Sequence, residues 1–290
     1  MKKASVMIKG GFGNQLFQFA FANYLRSNNF KTTINTDSFK RNINGTKRNL
    51  ILPASYFGFE EQSVFSKKMF QFNNAIESNK YIRKSFTHKI FNNYKYSKEK
   101  DLPYAFKKNN VFFDGYWKDM KYIDTSYEFI RKSIQKNEII RNGFLSRNNK
   151  VLVHVRRRDF LQNNWQLEPS FYMESFDYLN RKIKEFQFDV YTDDYDWVVS
   201  QKIFENANKI VPQSIKNYDI NSGDNTNETI ETFSQMLTYK HFVIGNSTFS
   251  FWAAYLNSSN DSICIVPKPW FKNHSHPVLS RDSWKIINNT

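Results

Sequence analysis

The sequence predicts an α/β protein whose second half is a parallel sheet covered by helices. Three observations carry that expectation. From Val151 onward, short apolar runs alternate with stretches of helical spacing. The run Val151–Val155 is rich in β-branched residues, is broken only by His154, and stops at Arg156, Arg157 and Arg158. That is the pattern of a buried strand delivering a polar tip to a surface. Near the amino end, an apolar run, a glycine-rich turn and a helical pattern follow one another over Ser5–Leu25.

At 290 residues the chain is long enough for two domains. A composition of 40% hydrophobic and 24% charged residues excludes a disordered chain. With 29 Phe and 16 Tyr, apolar burial must rely on aromatic rings. The net charge of +15 predicts attraction to polyanions, anionic lipid head groups or phosphorylated ligands, without choosing among them. Cys264 is the single cysteine and forms no internal disulfide, which suits a reducing cytosol. Lys2 and Lys3 precede only a few apolar residues before Lys9, and no run approaches the roughly 20 apolar residues of a membrane span. A cytoplasmic location is therefore expected.

Taken in order, Ser5–Ile8 is expected to be a strand, Lys9–Asn14 a tight loop, and Gln15–Leu25 a helix apolar nearly all round and hence buried. Such a strand, turn and helix present backbone N–H groups to an anion. Gly11-x-Gly13, with Asp37 after the strand Lys31–Asn35, invites a dinucleotide fingerprint. Leu16 stands where its third glycine belongs. A purely structural turn is the plainer alternative. Residues 38–110 show no clear pattern. Val111–Phe113 is expected to be a strand, leading into Asp114-Gly115-Tyr116-Trp117, and 119–140 has helical spacing. The polar stretch Arg141–Lys150 marks the expected boundary between domains 1–145 and 146–290.

Beyond the strand Val151–Val155, Pro169-Ser170 opens a helix over Phe171–Phe186. The strand Phe188–Tyr191 ends in Thr192-Asp193-Asp194. A helix over Tyr195–Phe204, a strand Lys209–Val211 closed by Pro212, a loop Asn221–Asn227 and a helix Glu228–Tyr239 follow. His241–Ile244 is a strand leading into Gly245-Asn246-Ser247-Thr248. Helical spacing resumes at Phe249, and Ser262–Val266 is the last expected strand.

Several of these strand ends carry chemistry. Arginines suit a phosphate because the guanidinium is a planar, permanently charged fork of donors. A solvated basic loop is the alternative for Arg156–Arg158. Gly245–Thr248 combines a turn with a helix cap whose free N–H groups would face an anion. Asp194 and Asp196 form a D-x-D pair, either metal-binding or simply acids in a first helical turn. His274-x-His276 reads as an exposed loop. The sequence holds neither a G-x-S-x-G elbow nor a Walker-A loop.

In combination these residues resemble the family 11 glycosyltransferases, the bacterial and animal α-1,2-fucosyltransferases. Gly10–Gln15 resembles the family's GGxGNQ opening, and Phe113–Trp117 its F-x-GYW segment. Val153–Phe160 is similar to HxRRxD(Y/F), Tyr191-Thr192-Asp193-Asp194 with Trp197 to (S/T)DD-x-x-W, and Gly245–Asn257 to the NSSFSWW-A-x-LN helix. The motifs occur in the family's order over most of the chain.

The resemblance implies a GT-B fold, two Rossmann-like domains facing across a nucleotide-sugar cleft. The N-terminal domain would be the acceptor side and the C-terminal domain would bind the GDP-sugar. It implies an inverting, metal-independent α-1,2-fucosyltransferase with GDP-β-L-fucose as donor, no cofactor, and an oligosaccharide or lipid-linked glycan, such as an O-antigen unit, as acceptor. His154 would lie by the nucleoside, and Arg156 would bind the diphosphate and neutralise the leaving GDP. Ser247, Thr248 and the N–H of Phe249 would hold phosphate oxygens. Asp193 would belong to the donor site. Asn14 and the backbone of Gly11, Phe12 and Gly13 would close over the diphosphate or donor sugar. Arg157 and Asp159 either act directly or pair to fix the loop.

Two positions depart from the pattern. Arg158 stands where the family has glycine, so either the loop tolerates a side chain or that side chain enters the cleft. Thr232 stands where the family has an acid that would read guanine, and Glu231 replaces it only if the helix is rotated. Asp159, Asp114 and Glu168 are the candidate general bases. The basic charge also fits peripheral contact with the inner membrane surface. Another GDP-deoxyhexose donor is the nearest alternative. A nucleic-acid binder and a catalytically silent lectin are the alternatives from other classes, and nucleic acid is not among the expected partners.

Overall fold

The computed structural model describes residues 1–40, 48–62, 102–213, 225–272 and 278–289, together with the backbone of Lys95–Tyr96. Most of 38–110, His274, His276 and much of the expected loop Asn221–Asn227 lie outside the described residues. The chain forms two compact units, one built on Met1–Ile134 and one on Gln135–Tyr218 with Asn227–Thr290.

The first unit contains β1 (Lys2–Met7), α1 (Phe12–Ser27), β2 (Phe30–Asn35), β3 (Lys95–Tyr96), α2 (Leu102–Ala105), β4 (Asn110–Phe113), α3 (Met120–Thr125) and α4 (Tyr127–Ile134). Its sheet runs β2-β1-β4-β3 with every pairing parallel. Val6 pairs with Phe113, so the loops after β1 and β4 open at the same edge. Helix α1 is buried nearly all round, as its composition demands. Phe19 stacks on Phe57 at 3.8 Å and Phe21 on Trp117 at 4.3 Å, so aromatic rings fill this core. The helix starts at Phe12 rather than Gln15, because Gly11 is itself the extended residue before the first turn.

The second unit contains α5 (Glu138–Leu145), β5 (Val151–Val155), α6 (Arg158–Leu161), α7 (Pro169–Lys182), β6 (Phe188–Thr192), α8 (Tyr195–Ser200), β7 (Lys209–Pro212), α9 (Thr226–Met236), β8 (His241–Val243), α10 (Thr248–Asn257), β9 (Cys264–Lys268) and β10 (Lys285–Asn288). Its sheet order is β10-β9-β8-β5-β6-β7, again parallel throughout. Strands β5 and β6 are buried at every position, which explains their largely apolar runs. Pro212 closes β7, an edge strand where a missing N–H costs no ladder bond.

The unit break falls between Ile134 and Gln135, ahead of the polar stretch expected to separate the domains. Arg141–Leu145 is helical because α5 packs on α9. A Cβ on Gly143 would meet the Ser234 carbonyl oxygen at 2.4 Å, and the Ser234 hydroxyl donates to the Ile139 carbonyl at 2.6 Å. Helix α7 ends at Lys182, short of Phe186, because Ile183 turns extended. The helix expected over Tyr195–Phe204 is likewise broken at the extended Gln201. Strand β10 was not expected, since its short run Lys285–Asn288 alternates too little to stand out.

Candidate functional site

Strand β5 lies between β6 and β8. The chain adds β6 and β7 on one side of β5, then reverses and adds β8, β9 and β10 on the other. In open α/β sheets the ligand crevice lies outside the carboxyl ends of the strands at such a reversal. Three segments stand there: Arg156–Asp159 after β5, Thr192–Asp194 around the end of β6, and Ile244–Phe249 after β8.

The first two segments hold each other. The Asp193 side chain is wholly buried, and its carboxylate accepts the backbone N–H of Arg157 at 2.8 Å. Its other oxygen lies 3.1 Å from Arg156 Nε, an ion pair without hydrogen-bond alignment. Burial pushes the Asp193 carboxyl above its usual range, while Arg156 and the Arg157 and Arg158 backbone pull it back. Asp194 takes Arg157 Nε at 3.2 Å, and the Arg157 guanidinium lies 3.8 Å from the centre of the Trp197 ring. The Asp194 N–H in turn donates to the Thr192 hydroxyl at 2.9 Å. The spacing Thr-Asp-Asp-x-x-Trp therefore serves to clamp the arginine loop.

Asp193 faces the arginine loop. Asp159 pairs with Arg156, at 2.9 Å, and not with Arg157. Arg156 thus lies between two carboxylates, one buried and one exposed. Arg158 lies exposed in the first turn of α6 and is not among the residues with positive φ. The position needs no glycine for its conformation. The D-x-D reading also loses a member, since Asp194 is engaged by Arg157. Among the described residues no group of three or more His, Cys, Asp or Glu is placed to hold a metal ion.

The third segment is a helix start at the same strand ends. A Cβ on Gly245 would meet the His154 carbonyl oxygen at 3.1 Å, so this close approach of β8 to β5 favours glycine. Asn246 is buried and donates to the carbonyls of Trp165 at 2.6 Å and Trp270 at 2.8 Å, tying the loops after β5 and β9 to the turn. Ser247 caps α10, accepting the Phe249 N–H at 3.3 Å. The first turn of α10 holds no acid, and Ser247, Thr248 and Phe249 are half-buried. Its N–H groups and helix dipole therefore favour an anion.

The His154 side chain is buried. It is 1% exposed, with Nδ1 2.8 Å from the Ser250 hydroxyl and Nε2 3.1 Å from Gln213 Oε1. Burial lowers the imidazole to about 4, the Gln213 hydrogen bond opposes this, and the Arg156 charge adds to it. The ring is neutral at pH 7. In the neutral ring one nitrogen donates and the other accepts, so the two contacts together hold the imidazole in place. At the fourth position of a strand buried on both faces, the side chain points into the protein and ties β5 to α10. Ser250 lay within a motif read from the sequence, whereas Gln213 carried no signal.

On α9, Glu231 is exposed and Thr232 half-buried, and the neighbouring Phe233 ring lies 5.4 Å from that of Phe249. Thr232 thus sits on the turn next to the helix start, while Glu231 faces solvent.

In the first unit the loops after β1 and β4 meet. Gly10 has φ of +77°, and a Cβ there would meet Asn14 Nδ2 at 3.0 Å and Tyr116 at 3.3 Å. Gly10, more than Gly11 or Gly13, is the residue the turn requires. Phe12 and Gly13 are buried and Asn14 is half-buried, its Oδ1 lacking a hydrogen-bond partner. Buried Gln15 donates to the Gly10 and Asn49 carbonyls, each at 2.9 Å, and Gln18 joins Lys9 N–H to the Gly115 carbonyl. Lys9 pairs with Asp114 at 2.5 Å. Of the candidate bases, Asp114 thus faces Lys9, Asp159 faces Arg156, and Glu168 faces Lys272 at 2.8 Å. None of the three stands without a cation.

Comparison with known proteins gives the following. An α-1,2-colitosyltransferase of Escherichia coli is 28% identical, the match covering 91% of each chain. The O-antigen biosynthesis glycosyltransferase WbnK of Escherichia coli is 26% identical over 96% of this chain and 98% of its own. Among solved structures, a mutant of Arabidopsis thaliana FUT1 in complex with GDP matches 93% of this chain and 71% of its own at 9% identity and a TM-score of 0.47. The Escherichia coli heptosyltransferase WaaC with ADP-2-deoxy-2-fluoro heptose matches 98% and 92% at 10% identity and a TM-score of 0.41. The model of glycosyl transferase family 11 matches residues 3–288, nearly the whole chain, and the protein is a glycosyltransferase belonging to that family.

Proposed function

We propose that the protein transfers a 6-deoxyhexose from a GDP-linked donor to a glycan hydroxyl, forming an α-1,2 linkage with inversion. One observation carries the reading: Arg156 is held at the carboxyl end of β5, where the sheet order reverses, beside the capped start of α10. An arginine fork and a helix start at one crevice suit a diphosphate. As the sugar–phosphate bond breaks, negative charge grows on GDP. Arg156 and the start of α10 would stabilise that charge in place, so the reading requires no metal. The second unit takes the donor and the first is the acceptor side. This is the division of labour of GT-B enzymes.

L-Fucose is the donor sugar by family pattern, and the colitosyltransferase relative supports a neighbouring deoxyhexose as the second reading. An O-antigen or other lipid-linked oligosaccharide is the acceptor class that the second relative supports. The basic balance, +15, suits work at an anionic membrane surface. No helix among the described residues is long and apolar enough to cross a membrane.

The test is transfer from GDP-fucose and GDP-colitose to galactoside-terminated oligosaccharides with EDTA present, the linkage being read by NMR. An α-1,2-linked deoxyhexose is expected. The two sugars differ by one hydroxyl, and a site that bonds that hydroxyl rejects the analogue lacking it by on the order of 10⁴. Transfer of neither sugar, by protein that binds GDP, would refute the donor assignment.

A further inference from the structure

We propose that Asp159 is a built-in stand-in for the donor diphosphate, occupying Arg156 until the donor displaces it. The inference rests on the diphosphate reading and deepens it. Arg156 is 19% exposed and carries two carboxylates of opposite character. Asp193 is 0% exposed and is pinned by the Arg157 backbone N–H, so it cannot leave without stripping a buried charge of its partners. Asp159 is 54% exposed and takes the outer edge of the same guanidinium at 2.9 Å. Its carboxylate has water to return to, and exposed pairs of this kind hold weakly.

A diphosphate offers the same fork more charge and two parallel hydrogen bonds. Asp159 cannot remain there when the phosphate arrives, because two anions would then share one crevice. Its own position allows the exchange. Asp159 lies in the first turn of the short helix α6, whose backbone is held independently by Asn163 Nδ2 donating to the Asp159 carbonyl at 3.2 Å. A change of side-chain rotamer moves the carboxylate without moving the loop. Asp159 thus competes with the diphosphate of the donor for Arg156.

Calorimetric titration of GDP into wild type, Asp159→Asn and Asp193→Asn tests this, with circular dichroism confirming the fold of each. Removing a competitor strengthens binding, so Asp159→Asn is expected to lower the GDP Kd about two- to five-fold, the range of an exposed ion pair. Asp193→Asn removes the anchor and is expected to raise it. A structural role for Asp159 does not increase affinity. If wild type binds GDP and Asp159→Asn binds equally or more weakly, the stand-in role is overturned while the diphosphate reading survives. If folded wild type binds no GDP, both fall together.

Discussion

Replacing His154 by Asn tests whether the histidine is a buried tie or a ligand-facing group. The imidazole is 1% exposed, and burial holds it at about 4, against an ordinary value of 6.5. Between those pH values the unfolded chain binds a proton there and the native protein does not. Stability must therefore rise with pH through this window, be fully present above 6.5, and be lost as pH falls toward 4. The loss amounts to about 1.4 kcal/mol per pH step, or about 2.5 kcal/mol between pH 7.5 and 4.5. Other groups titrate nearby. His241, also lowered by burial, adds a slope of the same sign, and Asp193, raised by burial, adds one of the opposite sign. Both remain in the variant and cancel in the comparison. Urea denaturation at pH 4.5, 6 and 7.5 is the assay. The stability advantage of wild type over His154→Asn should shrink by about 2.5 kcal/mol from pH 7.5 to 4.5. An advantage that is constant, or grows toward acid, would show that the native imidazole takes up a proton and is not buried neutral.

Gly245→Ala pushes a methyl to 3.1 Å from the His154 carbonyl, so it should cost about 1–3 kcal/mol of stability by urea denaturation. It should also weaken GDP binding, since the α10 start moves with the turn. Asp193→Ala leaves Arg156 Nε and the Arg157 N–H without their buried partner, and a loss of about 3–5 kcal/mol is expected in the same assay. Arg158→Gly restores the family's residue at a position whose φ does not need it. It should lower stability by no more than about 1 kcal/mol, and equal GDP affinity in the two proteins would agree with an exposed side chain.

Much of the second unit was legible because its signals are local. The run Val151–Val155 became β5 at those bounds, since a strand buried on both faces shows its length directly in the chain. Pro169 marked the start of α7, and the polar ends of β5, β6 and β8 do gather where the sheet reverses. What the spacing of residues did not reveal was direction. Asp193 and His154 are polar residues beside a crevice, yet both point inward, because the alternation of a strand and the demand of a neighbouring backbone N–H decide where a side chain goes. Asp159 was read beside Arg157 but reaches Arg156, three residues back and ahead of the helix start. The importance of Gly10 over Gly11 and Gly13 depends on its φ and on Tyr116, which is distant in sequence. The expected linker Arg141–Lys150 begins inside a helix whose polar residues face solvent, while Gly143 faces α9.

The central claim is that Arg156 and the start of α10 form a diphosphate site that needs no metal. Its most direct test is calorimetric titration of GDP and ADP into wild type and Arg156→Ala, in EDTA. Wild type should bind GDP in the micromolar range, and Arg156→Ala should lose at least about tenfold, the measure of a charge-assisted bidentate contact. GDP binding that is unchanged by Arg156→Ala, or that vanishes in EDTA and returns with a divalent cation, would contradict it.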